Sequence, residues 1–340
     1  MGERILTTQA LLRKEDETTL KPTPQITVVG STHMDFVGYV ERFPEPGETV
    51  IGHGFATSPG GKGANQAVAI ARLGAKAHFI SKVGTDFVGD TLLENLRKEG
   101  ISIENVERDH RASSGVALIY VNSSGENTIA VAPGVDHLIE PQDIEAAERT
   151  LENSKVVLAQ LEIPTRTVEF AMMFAKRRDK LSLLNPAPAT PLRPEVFRSV
   201  DVLTPNRVEL ETFTGRTTLT DQDLSEAALT LVEKGVEYVV VTLGSRGAMV
   251  VTRSEHMVVP SYRVDVVDTV GAGDAFNGAL AVALSMGEGV FESVRFANLV
   301  ASFKVTKRGA QTGLPTLKQV VEFSEVKGLG GIPKSLLALL

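Results

Sequence analysis

The stretch Val264-Asp265-Val266-Val267-Asp268-Thr269-Val270-Gly271-Ala272-Gly273-Asp274-Ala275-Phe276 decides how the chain is read. A β-branched run ends at Asp268, glycines flank Ala272, and an apolar run continues to Leu284. The pattern predicts a strand, a glycine turn and a helix N-terminus. Glycine lets backbone approach a ligand, and the first N–H groups of a helix are unpaired at the positive end of its dipole. Such a turn suits an anion, and a carboxylate set into it can take a proton from a nearby hydroxyl. A lone Asp274 would be read as an N-cap. Capping does not require the preceding Gly271-Ala272-Gly273, so the catalytic reading gains from the rest of the chain.

Working outward, the 340 residues carry 42% hydrophobic and 23% charged side chains, as in ordinary globular proteins. A net charge of −7 argues against a nucleic-acid or anionic-membrane surface. The absence of cysteine excludes disulfides, thiolate metal sites and Cys nucleophiles. No apolar run reaches the roughly 18 residues of a membrane span. Residues 1–24 mix charges of both signs without an apolar segment. That argues against a secretory signal and predicts a loosely ordered tail, its acidic cluster weakening an organelle-targeting reading. A cytoplasmic location is expected.

Ile26–Gly30 reads as a buried strand followed by Ser31-Thr32-His33-Met34-Asp35. A dinucleotide fingerprint would need Gly where Thr32 stands. Asp35 is a ligand candidate past a strand's carboxyl end, or a solvated turn residue. Ser58–Asn65 is a glycine loop, but Ala56 and Gly63 stand where a P-loop needs Gly and Ser or Thr. A helix follows over Ala64–Gly74, with Asn65 as a first-turn cap or a hydroxyl-binding amide. Gly115–Val121 and Thr128–Ala132 predict a hairpin, which with a strand near Val50 makes a small antiparallel sheet. Strands near Val156, Leu181, Val202 and Tyr238 each end on polar or glycine residues before a helix-like stretch. This order predicts a parallel sheet with helices on both faces. Glu162, Asn206, Glu209, Thr242, Gly244 and Asp274 then share one edge.

No Gly-x-Ser-x-Gly elbow and no dense histidine spacing is present, so hydrolase and metalloprotease readings fail. Phosphoryl transfer remains, needing N–H donors, Mg²⁺ and one base. Gly271–Gly273 supply donors, Asp274 is the base, and Glu209 holds Mg²⁺ through water.

Gly60-Gly61-Lys62-Gly63-Ala64-Asn65 and Asp268-Thr269-Val270-Gly271-Ala272-Gly273-Asp274 resemble the two signatures of the PfkB carbohydrate kinases. The resemblance runs from about Ile26 to Phe323 and includes Gln160-Leu161-Glu162, Asn185–Ala189 and Thr242–Gly247. It implies a ribokinase-like three-layer α/β/α sandwich over residues 25–325, with a β lid near 36–58 and 113–132 and a tail over 326–340. The implied reaction is ATP-dependent phosphorylation of D-ribose at its 5-hydroxyl, with Asp274 as base and Gly271, Ala272 and Gly273 in the anion hole. The implied sugar site is His33, Asp35, Gly61, Lys62, Gly63, Ala64, Asn65, Glu162 and Asp274. The ATP site is Asn206, Thr242, Leu243, Gly244, Ser245, Arg246, Gly247, Gly273 and Asn298.

By the same resemblance, Glu209 serves Mg²⁺, and Asp268, Val270, Lys304, Lys307, Gly309 and Gly313 hold an activating K⁺, with both lysine side chains facing solvent. A homodimer through the lid is implied. Two positions depart from the family pattern: His33 replaces an Asn that bonds the sugar, and Gly313 replaces a Ser of the potassium loop. Kinases for 2-deoxyribose, fructose or a nucleoside are alternatives, the last disfavoured by 5% aromatic content and no Trp. A catalytically silent sugar sensor would be expected to lose the base or the glycine turn, and this chain keeps both. The C-terminal Leu336–Leu340 is either a docked or a disordered end.

Overall fold

Apolar runs such as Val156–Ala159 and Val239–Val241 have no polar face, which suits strands covered on both sides. The computed structural model describes residues 23–340, so the tail expected over residues 1–24 falls outside the described residues except at its last two positions. The chain begins with β1 (Gln25–Val29), β2 (His33–Val40), β3 (Gly52–Gly60), α1 (Lys62–Arg72), β4 (Lys76–Gly84), α2 (Phe87–Lys98) and β5 (Ser102–Asp109). It continues with β6 (Gly115–Val121), β7 (Asn127–Ala132), α3 (Pro141–Ala146), α4 (Glu148–Asn153), β8 (Val156–Ala159), α5 (Thr165–Arg177), β9 (Leu181–Leu184) and β10 (Val202–Leu203). There follow α6 (Arg207–Thr214), α7 (Asp221–Glu233), β11 (Tyr238–Thr242), β12 (Ala248–Val251) and β13 (His256–Val259). The last helices are α8 (Ala272–Ser285), α9 (Val290–Lys304), α10 (Leu317–Lys327) and α11 (Lys334–Leu337).

The main sheet has nine strands in the order β13-β12-β11-β10-β9-β8-β1-β4-β5. All pairs are parallel except β11 with β12 and β12 with β13. Alternate side chains of one strand enter opposite layers: Val28 and Val240 join a core with α1, α8 and α9, while Val29, Val239 and Val241 join one with α5 and α7. The expected three-layer α/β/α sandwich is therefore present. No helix among the described residues is long and apolar enough to cross a membrane.

Helix α8 is apolar almost all round and is buried accordingly. It crosses α1 closely at Gly278, where a Cβ would lie 2.5 Å from Ala69 Cβ. This crossing brings the first turns of α1 and α8 together.

Several expectations are corrected. The small second sheet has four strands, β3-β2-β6-β7, and it is mixed rather than antiparallel, because β2 pairs parallel with β6. Its strands span 33–60 and 115–132, and Asp35 lies within β2 rather than in a solvated turn. β11 leads through a tight turn into β12 instead of a helix. Val264–Asp268 forms no strand; it is an irregular strap that bends at Val267, and its Val267 and Asp268 N–H groups both bond Val305 O, at 2.7 and 3.1 Å. Helix α1 starts before Ala64, and α2 is capped by the Asp86 side chain, which accepts the Gly89 N–H at 2.8 Å. The C-terminal segment is docked: Leu336 is fully buried in the α8–α9 core.

Candidate active site

Gly271 caps α8 in the left-handed conformation (φ 77°), which explains a glycine there. Ala272 N–H bonds Thr269 O and Ala275 N–H bonds Gly271 O. The N–H groups of Gly273 and Asp274 have no acceptor among the described residues. Asp274 is thus not the N-cap. Its carboxylate accepts from Asn65 Nδ2 at 2.8 Å and from Gln66 Nε2 at 3.0 Å. Burial pushes the Asp274 carboxyl up and Glu162 adds to that, while Lys62 and the two amides pull the other way.

The amides are themselves held. Gln311 Nε2 donates to Asn65 Oδ1 at 3.0 Å and Asn95 Nδ2 to Gln311 Oε1 at 2.8 Å. Gln160 Nε2 donates to Gln66 Oε1 at 2.6 Å, and Gln66 also donates to Asn185 Oδ1 at 3.1 Å. A buried network of this kind fixes one orientation of the carboxylate. Asn65 therefore serves Asp274 rather than capping α1, whose N-cap is Gly61 without a side-chain bond. Gln66 and Gln311 were not singled out from sequence. Gln66 stood in plain view as a polar residue on the buried face of an Ala-rich helix; Gln311 offered no signal.

Beside this network, Glu162 Oε2 accepts from Ser31 Oγ at 2.5 Å and from the Lys62 N–H at 2.9 Å. Burial works to lower the Lys62 ammonium, but Asp274, Glu162 and Glu209 around it raise it on balance. Lys62 thus carries one positive charge among three carboxylates. His33 Nε2 lies 3.5 Å from Asp35 Oδ1. The ring therefore lies on the same face of β2 as Asp35. Burial raises the Asp35 carboxyl, His33 lowers it and Glu162 raises it, with a net upward direction. Gly61 and Gly63 set the loop against the residues that follow β1, where a Cβ on Gly63 would be 2.7 Å from the Gly30 carbonyl carbon. Ala64 is buried and its N–H is bonded to Ser31 O at 3.0 Å.

On the far side of Gly273 lies an open cleft of about 700 Å³ lined by Thr242, Gly244, Ser245, Gly247 and Asn298. Tyr262, Val264, Val266, Phe276 and Val305 give it apolar walls, so the β-branched run is cleft wall, not strand. Asn298 Nδ2 donates to Val259 O at 2.9 Å and Pro260 O at 3.3 Å, pinning the end of β13. Asn206, Leu243 and Arg246 line a separate hollow of about 310 Å³ across Thr242 and Gly244. Arg246 Nη1 there bonds Asp221 Oδ1 at 2.8 Å. Glu209 forms a capping box with Asn206, accepting its N–H and Nδ2 each at 2.8 Å. Burial pushes Glu209 up, opposed by the Asn206 N–H and Lys62.

Around the remaining loop, the Asp268 carboxylate accepts from the N–H groups of Val270 at 2.9 Å and Gly309 at 2.7 Å. Lys307 is exposed as expected. Lys304 is not: it is 0% exposed, and its Nζ donates to Asp268 O at 3.0 Å and Lys307 O at 3.3 Å. Burial pulls its ammonium down, with Asp268 and Asp274 holding it up in part.

A glycine-turn helix terminus holding a buried carboxylate between an apolar cleft and a cluster of charged side chains suits a phosphoryl-transfer enzyme of the α/β sandwich class. Residues 23–317 match the pfkB family carbohydrate kinase, and the chain belongs to that family. It is similar to the ribokinase of Haemophilus influenzae, with 38% identity over 300 residues covering 88% of this chain and 98% of that protein. The deoxyribokinase of Salmonella typhimurium is 39% identical over 299 residues, again 88% of this chain and 98% of that protein. The solved structure of Arabidopsis thaliana ribokinase complexed with ribose and ATP aligns with a TM-score of 0.83 and 32% identity, covering 88% of this chain and 98% of that one.

Proposed function

We propose that the enzyme transfers the terminal phosphoryl group of ATP to the 5-hydroxyl of D-ribose in the cytoplasm, giving D-ribose 5-phosphate. The observation that carries this reading is the Asp274 carboxylate, clamped by Asn65 and Gln66 at the open N-terminus of α8. Asp274 takes the hydroxyl proton as the oxygen attacks, and the free N–H groups of Gly273 and Asp274 receive the charge on the transferring group. His33, Asp35 and Glu162 hold the sugar hydroxyls, Lys62 spans sugar and phosphate, and the 700 Å³ cleft takes the nucleotide.

Among the described residues, no cluster of three or more His, Cys, Asp or Glu side chains can hold a metal alone. That fits Mg²⁺ arriving with ATP and keeping much of its water, with Glu209 and Asn206 as outer partners. When bound, Mg²⁺ neutralises phosphate charge.

The likeness to Arabidopsis ribokinase complexed with ribose and ATP supports ribose, and that to Salmonella deoxyribokinase supports 2-deoxyribose as the second reading. The test is phosphoryl transfer from Mg-ATP to ribose, 2-deoxyribose, fructose and adenosine. A higher kcat/KM for ribose is expected; preference for another acceptor moves the substrate and keeps the base. Exposed Phe55, Leu118, Tyr120, Ile129 and Val131 on the lid support a homodimer there. Sedimentation of wild type against Ile129→Glu tests it, a monomeric wild type overturning it.

A further inference from the structure

The potassium site that the family resemblance implies does not fit this chain. The implied positions include Asp268 and Lys307, and the main-chain carbonyls of both already accept from Lys304 Nζ. A second cation on those oxygens would face the ammonium at contact distance with no bulk water between them. Among the described residues Lys304 Nζ has no carboxylate in direct contact; it hydrogen-bonds the two carbonyl oxygens, with the Asp268 and Asp274 charges acting from farther off.

Lys304 and Gly313 also belong together. A Cβ built on Gly313 would lie 3.0 Å from Lys304 Cε, 3.2 Å from Arg308 O and 3.3 Å from Lys307 Cβ. The space a serine side chain would occupy is where the lysine stem runs. The Gly313 departure and the Lys304 stem therefore fit one another, placing a covalently held cation where the family pattern has a dissociable one. The loop sits directly behind the phosphate-binding turn: a Cβ on Gly271 would be 3.1 Å from Ala310 Cα, and Asp268 bonds Gly309 as well as Val270.

We infer that the Lys304 ammonium is the resident monovalent cation of this loop, and that the enzyme works at full rate without potassium. The lysine holds the Asp268 and Lys307 carbonyls inward, which keeps the free Gly273 and Asp274 N–H groups aimed at the phosphate. This inference rests on the sugar-kinase reading for its link to turnover.

The experiment compares wild type, Lys304→Ala and Lys304→Met in choline buffer, with added potassium or ammonium chloride, reading both turnover and binding of thallous ion by NMR line width. Wild type is expected to keep its turnover on potassium addition and to leave thallous ion unbound. Lys304→Ala is expected to lose turnover on the order of a hundredfold in choline, as when one charge-stabilising donor is removed. Potassium or ammonium should restore it, and thallous ion should bind. Lys304→Met, which fills the space without charge, should lose turnover and not be rescued. Saturable activation of wild type by potassium overturns the inference. So does potassium-competed thallium binding to wild type, or an alanine variant that is fully active in choline. The wild-type readouts decide even where a variant fails to fold. Absence of turnover on every sugar would sink the sugar-kinase reading, and thallium binding would still judge this one.

Discussion

Asn65 Nδ2 lies 2.8 Å from Asp274 Oδ2, joining the first turns of α1 and α8 across 209 residues of chain. The bond orients the carboxylate and favours its ionised form, against burial that raises it. A base must be ionised to act, so turnover rises with pH through the folded-state value of Asp274. That acid limb lies above the ordinary 3.8 of an aspartate. Asp274→Asn is expected to cut kcat roughly 100- to 10,000-fold, the usual contribution of general-base catalysis, with ribose binding retained by calorimetry. A variant with wild-type turnover would remove Asp274 from the base role.

Glu209 is held by Asn206 and feels the charge of Lys62. Glu209→Gln keeps an acceptor for the Asn206 N–H but loses the negative charge. Its Mg²⁺ requirement at fixed ATP is expected to rise about 10- to 100-fold, as for outer partners of a metal, with the KM for ribose little changed. An unaltered Mg²⁺ titration would show that Glu209 only caps α6.

The parallel sheet and the glycine turn were legible because both are local: apolar strand runs, and Gly271 at a helix start. Asp274 and Glu162 could be named for the same reason, each following a recognisable strand or turn. The strap over Val264–Val267 was misread because β-branched residues suit a cleft wall as well as a strand, and only tertiary placement separates them. Gln311 was out of reach because its partner Asn65 is 246 residues away. Lys304 was assigned to solvent because lysine is almost never fully buried unless paired, and here carbonyls serve as the pair.

The α1–α8 crossing depends on Gly278, whose added Cβ would stand 2.5 Å from Ala69 Cβ. Gly278→Ala should destabilise the protein by about 1–3 kcal/mol through overpacking, despite alanine's better helix propensity. Adding Ala69→Gly removes the clash and should recover part of that loss, a coupling readable by a double-mutant cycle in urea. Purely additive effects would show that the helices do not meet there.

Asp136, 1% exposed, accepts the Thr32 N–H at 3.1 Å and lies within the field of Glu162. Burial holds its carboxyl well above the ordinary 3.8, so the folded state keeps a proton that the unfolded chain has lost. The sign follows from linkage: with more protons bound in the native state, stability falls as pH rises. Its contribution is fully present below the unfolded value and lost on passing the folded one. Asp136→Asn keeps an acceptor for Thr32 and never ionises. The variant should match wild type in acid and exceed it increasingly toward neutral and alkaline pH, measured as urea unfolding free energy across the range. Asp136→Leu, by contrast, orphans the Thr32 N–H and should cost about 1–3 kcal/mol throughout. A stability gap between Asn and Asp that does not change with pH would show that Asp136 keeps its charge in the fold, and that some cation or solvent path reaches it.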